Sequence, residues 1–384
     1  GAFAVMSILN RVAALRAQGR EIISLCAGEP SQGAPSEVRR RAAELMVDHT
    51  PLGYSETFGI KPLRRKIAAH YRRWYGLDID EDHIALTTGS SGAFLLSFLA
   101  AFDHGDRVAL TRPGYPAYRN ILTSLGCQVV ELACGPAQRF QPSVEMLEQA
   151  YAVAPLAGLV VASPANPTGT MIAPDHLAEL ARWCRDHEVR LVSDEIYHGV
   201  TDHTVAASCA WEHDRNAIVI SSFSKYWGMT GWRLGWSLVP TDLMSVFDAI
   251  AGNYALCPPV PAQHAAIAAF TEESYREADA AVAAFGDARA IVLDAIDDLG
   301  WTGVAPADGA FYVYAGIAGQ LGPYLDSEAW CEALLEQHGV ALTPGTDFDQ
   351  RDGGSAVRLS LAAGPEAVAT AIIRILRFQQ SLKS

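Results

Sequence analysis

The 384-residue chain contains no Cys-x-x-Cys pair, and its seven cysteines, at positions 26, 127, 134, 184, 209, 257 and 331, stand singly. That scatter argues against a zinc ribbon, a redox dithiol or an even disulfide framework. It fits reduced thiols, so a cytoplasmic location is expected. A long apolar run is also missing. The most apolar stretch, AFLLSFLAAF at 93–102, falls far short of the roughly 20 residues that span a bilayer. Positive charge is in deficit, with 29 Lys and Arg against 43 Asp and Glu and a net charge of −14. The balance argues against nucleic acid or an anionic membrane as the main partner, and any anionic ligand needs a local basic site. Neither a repeat nor a low-complexity segment breaks the chain. What is present is ordinary for a large globular core: half of the residues are apolar and 19% are charged.

Short β-branched runs alternate with helical patterns through the middle of the chain. IALTT (84–88), RVALTR (107–112), GCQVVEL (126–132), GLVVASP (158–164), VRLVSDE (189–195) and NAIVISS (216–222) read as strands, and WRLGWSLV (232–239) adds one more. Helical patterns at SGAFLLSFLAAF, PAYRNILTSLG, SVEMLEQAY and PDHLAELARWCRDH lie between them. Strands that are apolar throughout and separated by helices predict an α/β fold with a mostly parallel sheet covered on both faces. Beyond it, the pattern predicts one long helical stretch at 260–298. A smaller α+β part follows, with strands at 309–315, 339–345 and 356–362 and two further helices. The predicted N-terminal helix at 7–19 could join that part.

In a parallel α/β sheet, ligands sit beyond the carboxyl ends of the strands. The polar residues found there are therefore informative. Gly89, Ser90, Ser91 and Gly92 follow the first strand and open a helix, leaving backbone N–H groups available to an anion, although a plain N-cap reads the same way. Asn166 follows the fourth strand in ANPTG, where a simple turn is the competing reading. Asp194 ends a buried strand, which is costly for a carboxylate without a cation or donors. Tyr197 lies three residues on and can reach the same site, whereas Glu195 starts on the opposite face. Lys225 leaves the sixth strand in SFSKYWGMTGWRLG, and Arg233 follows across a glycine-containing turn. Lys225 alone could be a solvated loop lysine. Taken together, these groups match a phosphorylated cofactor with a cationic ring nitrogen and a carbonyl. Pyridoxal phosphate is such a molecule.

The chain resembles the class I/II aminotransferases of pyridoxal phosphate fold type I, the aspartate aminotransferase superfamily. The resemblance rests on AGEP (27–30), GYSETFGIKPLR (53–64), TTGSSGAF (87–94), PGYPAY (113–118), SPANPTG (163–169), SDEIYHG (193–199), SFSKYWGMTGWRLG (222–235), DGAFYVY (308–314), PGTDF (344–348) and VRLS (357–360). These motifs occur in the family's order and cover nearly the whole chain. The resemblance implies a large cofactor-binding domain at 46–280 and a small domain made of 1–45 and 281–384.

It implies, residue by residue, that Lys225 is the covalent anchor of the cofactor and the base that moves the α-proton. Asp194 would keep the cofactor's ring nitrogen protonated, Asn166 and Tyr197 would hydrogen-bond its phenolic oxygen, and Tyr115 would stack on the ring. The phosphate would be held by the backbone of Ser90 and Ser91, by Ser222 and Arg233, and by Tyr54 from a neighbouring subunit of a homodimer with shared sites. Arg358 would clamp the substrate carboxylate bidentately, helped by Gly28 and Asn166. Two positions depart from the pattern. Ala165 replaces a common Asn of no essential role. Ser91 stands where some bacterial aspartate aminotransferases carry a lysine for the substrate's distal carboxylate, which weakens the case for aspartate.

The expected activity is transfer of the α-amino group of an L-amino acid to 2-oxoglutarate or pyruvate in a ping-pong cycle. The alternatives are a carbon–sulfur β-lyase, an aminocyclopropane-carboxylate-synthase-like enzyme, or a regulatory protein on the same scaffold. His198 and His203 lack a third ligand nearby, so no metal is expected. Tyr71, Trp74 and Tyr75 read as a packed helix face.

Overall fold

The computed structural model describes residues 4–383. Its strands are β1 (Ile23–Ser24), β2 (Ile84–Thr88), β3 (Arg107–Arg112), β4 (Gln128–Ala133), β5 (Gly158–Ala162), β6 (Arg190–Asp194), β7 (Ile218–Ser222), β8 (Leu234–Leu238), β9 (Tyr312–Gly316), β10 (Val340–Ala341), β11 (Thr343–Pro344) and β12 (Ala356–Ser360). Seven of them form one sheet in the order β2-β8-β7-β6-β5-β3-β4. Only β8 runs antiparallel, to both of its neighbours; every other pairing is parallel. Helices cover both faces, and β7 and β8 are buried along their whole length. This is the mixed α/β architecture expected from strands without an exposed polar face.

The parallel strands all point their carboxyl ends the same way. Thr88, Arg112, Ala162, Asp194 and Ser222 therefore end at one edge of the sheet. On β7 and β6 the register pairs Ile220 with Asp194, and on β6 and β5 it pairs Asp194 with Ala162. The loops that follow these strands converge on that edge.

A three-stranded antiparallel sheet, β11-β12-β9, faces it from the C-terminal part. The helix Ala4–Ala17 packs on this part, with Arg11 and Arg20 bonded to Glu336 and the Val5 amide donating to Asp347.

Two expectations are corrected. The run 339–345 is not one strand but β10 and β11, because Val340–Ala341 pairs with β1 and Thr343–Pro344 turns to pair with β12. The stretch 260–298 is not one helix. It breaks into Val260–Ala266, a 3-10 turn, Glu272–Asp294 and Ile296–Leu299. The cause of the first break is local: the Thr271 hydroxyl accepts from the Ser274 amide at 3.2 Å and caps a new helix. Helices at Ser36–Val47 and Met244–Ala255 were not anticipated as elements, and of Lys61–Tyr75 only the face at 71–75 was. The helix Lys61–Tyr75 carries Tyr71 and Trp74 into an aromatic cluster with Tyr226, Trp227 and Trp236, and Tyr75 against Tyr71 and His198, so these rings are packing groups.

Candidate active site

A cavity of about 510 Å³ opens between the carboxyl edge of the large sheet and the three-stranded sheet. It is built for an anion at one end. The chain leaves β2 through Gly89, whose φ of +67° favours glycine, and enters the helix Gly89–Ala101. A Cβ at Gly89 would lie 2.5 Å from Arg233 Nη2, so the guanidinium sits directly over the helix start. Arg233 itself holds φ +49° and donates from Nη1 to the Thr230 carbonyl at 2.8 Å. On the other side, a Cβ at Gly235 of β8 would meet the Ser90 amide nitrogen at 2.9 Å. Unpaired N–H groups of a helix start and a guanidinium thus face one space, together with Ser90 and Ser91. The Ser222 hydroxyl donates to the Leu234 carbonyl at 3.0 Å and accepts from the Ser224 amide at 3.0 Å, with Ser224 Oγ 2.8 Å away; Ser224 is among the lining residues of the cavity and Ser222 stands beside it.

The middle of the cavity holds two opposed charges. Asp194, 4% exposed, receives the Tyr118 hydroxyl on Oδ2 and the Ile196 amide on Oδ1 at 3.1 Å. Burial pushes its pKa up to about 6, against the pull of those donors and of Lys225. Lys225 donates from Nζ to the Gly28 carbonyl. Burial and then the Arg358 charge push the ammonium down to about 8, while Asp194 and Glu29 resist. An amine in that range sheds its proton close to neutral pH. Nζ lies 5.7 Å from the Tyr197 ring centroid, and the Tyr197 hydroxyl is 2.7 Å from that of Tyr312. Tyr115 lines the wall at the start of the helix Pro116–Ser124, edge-on to Tyr118 at 5.4 Å.

Arg358 occupies the far end, 5% exposed on β12. Its Nη1 donates to Asn166 Oδ1 at 2.8 Å and its Nη2 to the Cys26 carbonyl at 2.9 Å. Its guanidinium lies 4.3 Å from the Tyr312 ring and 4.8 Å from the Phe348 ring. The Nε is buried without a protein partner. An arginine fixed on both faces and with donor capacity left over suits a planar carboxylate.

The cavity thus gathers Gly28, Ser90, Ser91, Tyr115, Asn166, Asp194, Tyr197, Lys225, Arg233 and Arg358. Tyr54 is not among its lining and stands 83% exposed on the surface. The site also contains Tyr118, Tyr312, Ser224, Thr343, Glu29 and Phe348, which the sequence reading had not singled out. For Tyr118 a signal existed, since it follows Tyr115 by three residues on one helix face. His198 faces away from the cavity, against Tyr75 and Glu195. No group of three or more candidate metal ligands occurs among the described residues.

A family model described as aminotransferase class I and II matches residues 20–376. A valine–pyruvate aminotransferase of Mycobacterium tuberculosis is 50% identical over 97% of this chain and 95% of its own. An aspartate/prephenate aminotransferase of Thermus thermophilus is 31% identical over 97% of this chain and 95% of its own. Among solved structures, an aminotransferase from Mycobacterium tuberculosis superposes with a TM-score of 0.96 at 49% identity, covering 99% of this chain and 97% of that one.

Proposed function

The chain belongs to the class I and II aminotransferases, and from that premise we propose that it transfers the amino group of an L-amino acid through pyridoxal phosphate held at Lys225. The observation that carries this reading is the pairing, inside one cavity, of a lysine with a pKa near 8 and a buried aspartate. The protein surface fits the cofactor. The Gly89 turn, too tight for a Cβ beneath Arg233, leaves a cradle for a phosphate, and Asp194 offers a buried carboxylate to a cationic nitrogen.

When bound, pyridoxal phosphate supplies an electron sink for the carbanion left by loss of the α-proton. The chain's own residues supply the rest. The backbone of Ser90 and Ser91, with Ser222, Ser224 and Arg233, would hold the phosphate. Asp194, oriented by Tyr118 and the Ile196 amide, stabilises positive charge on the ring nitrogen. Asn166 and Tyr197 bond the ring oxygen, and Tyr115 covers one face. Arg358, sandwiched by Tyr312 and Phe348, binds the substrate carboxylate and so fixes the α-carbon within reach of Lys225. The Lys225 amine, freed when the substrate amine takes its place, would take the α-proton and hand it on within the site, a transfer favoured by a pKa close to the working pH. Water would then supply the oxygen of the departing 2-oxo acid while the nitrogen stays in the site, and a second oxo acid would take up that nitrogen, with loss of water, by the reverse path.

The alternative lyase readings find no support in relatives that are aminotransferases by name. Valine and pyruvate, the pair in the name of the Mycobacterium tuberculosis relative, are the first substrates to test. The reading extends to a homodimer in which Tyr54 completes the phosphate site of a second copy. Supporting it, Tyr54, Tyr254 and Leu256 are exposed, on segments that meet where Thr57 approaches Gly252. Supporting a division into a large domain, 46–280, and a small one, 1–45 with 281–384, the seven-stranded sheet falls within the first range and the two- and three-stranded sheets within the second. Free thiols throughout support a reducing cytoplasm, and no helix of the described residues is long and apolar enough to cross a membrane.

The test is a half-reaction. Protein loaded with pyridoxal phosphate and given L-alanine or L-valine without an acceptor should release one equivalent of oxo acid per site and then stop until a second oxo acid is added. Continuous release of ammonia without an acceptor would instead identify a lyase.

A further inference from the structure

We infer that the side-chain end of this site rejects a second carboxylate, which restricts the enzyme to neutral amino acids as donors and monocarboxylic 2-oxo acids as acceptors. The inference rests on the aminotransferase reading and on where the cavity's charges are already committed.

Three cations line the cavity: Lys225, Arg233 and Arg358. Arg233 is held at the Gly89 turn, at the anion end. Lys225 is the reacting amine. Arg358 is fixed between Tyr312 and Phe348 and bonded to Asn166 and Cys26, so it can take one carboxylate. Among the described lining residues, no histidine, lysine or other arginine remains for a second one.

What remains is of the opposite sign. Besides Asp194, the lining includes Glu29 and Asp347. Glu29 Oε2 accepts from the Thr230 hydroxyl at 2.9 Å. Asp347 Oδ2 accepts from the Val5 amide at 2.9 Å, next to the Phe348 ring that covers Arg358. Asp347 is thus beside the Arg358 end and Glu29 beside the Thr230 turn, and both line the one cavity. The lining also includes the apolar side chains of Val5, Leu9 and Ile196. A distal carboxylate would lose its water against apolar side chains and meet like charge instead of a cation.

The segments around Tyr54 lie side by side, with Ser55 bonded to Gln263 and Thr57 approaching Gly252. Residues 50–60 and 249–263 contain no lysine, arginine or histidine, and Glu56 adds a carboxylate.

The experiment compares kcat/KM for L-alanine with L-glutamate, and for pyruvate with 2-oxoglutarate, on the cofactor-loaded enzyme. The dicarboxylic member should be slower by about 100-fold or more, since like-charge contacts cost several kcal/mol and each 1.4 kcal/mol is tenfold. Calorimetry gives an activity-independent readout: succinate should bind no more tightly than butyrate. In Glu29→Gln and, separately, in Leu9→Arg, the glutamate-to-alanine ratio should rise, at least about threefold and tenfold respectively. Glutamate within tenfold of alanine in the wild type, or tighter binding of succinate, would overturn the inference. So would a ratio that neither variant moves. If no amino acid turns over at all, the aminotransferase reading itself falls, and this inference with it.

Discussion

Replacing Arg358 by Gln isolates the interaction that orders the substrate. In the protein this guanidinium is buried, bonded to Asn166 and to the Cys26 carbonyl, and gripped by two rings. A bound carboxylate would gain two charge-assisted hydrogen bonds there, each worth about 1.5–3 kcal/mol. Their loss, about 3–6 kcal/mol, lowers kcat/KM for L-alanine by roughly 10²- to 10⁴-fold. Arg358→Lys keeps a positive charge but not the planar fork, and should fall between the two. The variant also loses the bond to the Cys26 carbonyl, so a melting curve must accompany the kinetics. The decisive control is an amine without a carboxylate, such as ethylamine, whose slow half-reaction should change little. A fall in kcat/KM of less than about tenfold, or a parallel fall with ethylamine, would refute the clamp.

Three further outcomes follow from charge and burial. In the cofactor-free protein, Lys225 has a folded pKa of about 8 against an ordinary 10.5. Between those values the unfolded chain holds the extra proton, so stability rises with pH, and below them the folded state bears the full cost. At 1.36 kcal/mol per unit that cost is at most about 3 kcal/mol, less because the cavity opens to solvent. Chemical denaturation should therefore find Lys225→Met more stable than wild type at pH 7, with the advantage gone near the lysine's ordinary pKa. Glu195 shows the opposite sign: burial raises it to about 8 from 4.5. Its folded form holds the extra proton between those values, and stability falls as pH rises through them. Glu195→Gln should abolish that fall, which the same denaturation series checks. Arg112 bridges β3 to the loop after Phe348 through Asp349 at 2.8 Å and Asp352 at 2.6 Å, with Arg112 and Asp349 both nearly buried. Arg112→Ala leaves Asp349 without its cation and should cost about 3–5 kcal/mol. Adding Asp349→Asn should recover at least half of that in a thermal melt.

The strands of the large sheet were legible because each is a short, mostly apolar run set between helical patterns, and burial on both faces leaves that imprint on the amino acids themselves. The residues just past their ends, from Gly89 to Lys225, were legible for the same reason: a charge or glycine at the edge of an apolar strand calls for an explanation. Partner choice left no such imprint. Val340–Ala341 and Thr343–Pro344 look like one strand because hydrophobicity records that they are buried, not that they pair with different strands. Ser224 at the cavity wall went unremarked in the same way, since only the folded chain sets its hydroxyl beside that of Ser222 and Ser222 against the Leu234 carbonyl of another strand. The charges of Glu29 and Asp347 were visible in AGEP and PGTDF, but only the folded chain brings both to the wall of the cavity that holds Arg358.

The chain has only four lysines, at 61, 66, 225 and 383, and all but Lys225 are exposed on the surface. The most direct test of the account is therefore to load the protein with pyridoxal phosphate, fix the cofactor to its amine with borohydride and map the labelled peptide by mass. The account predicts one label per chain, on Lys225, with the visible cofactor band and the label both lost in Lys225→Ala. A label on Lys61, Lys66 or Lys383, or an unchanged band in Lys225→Ala, would contradict it.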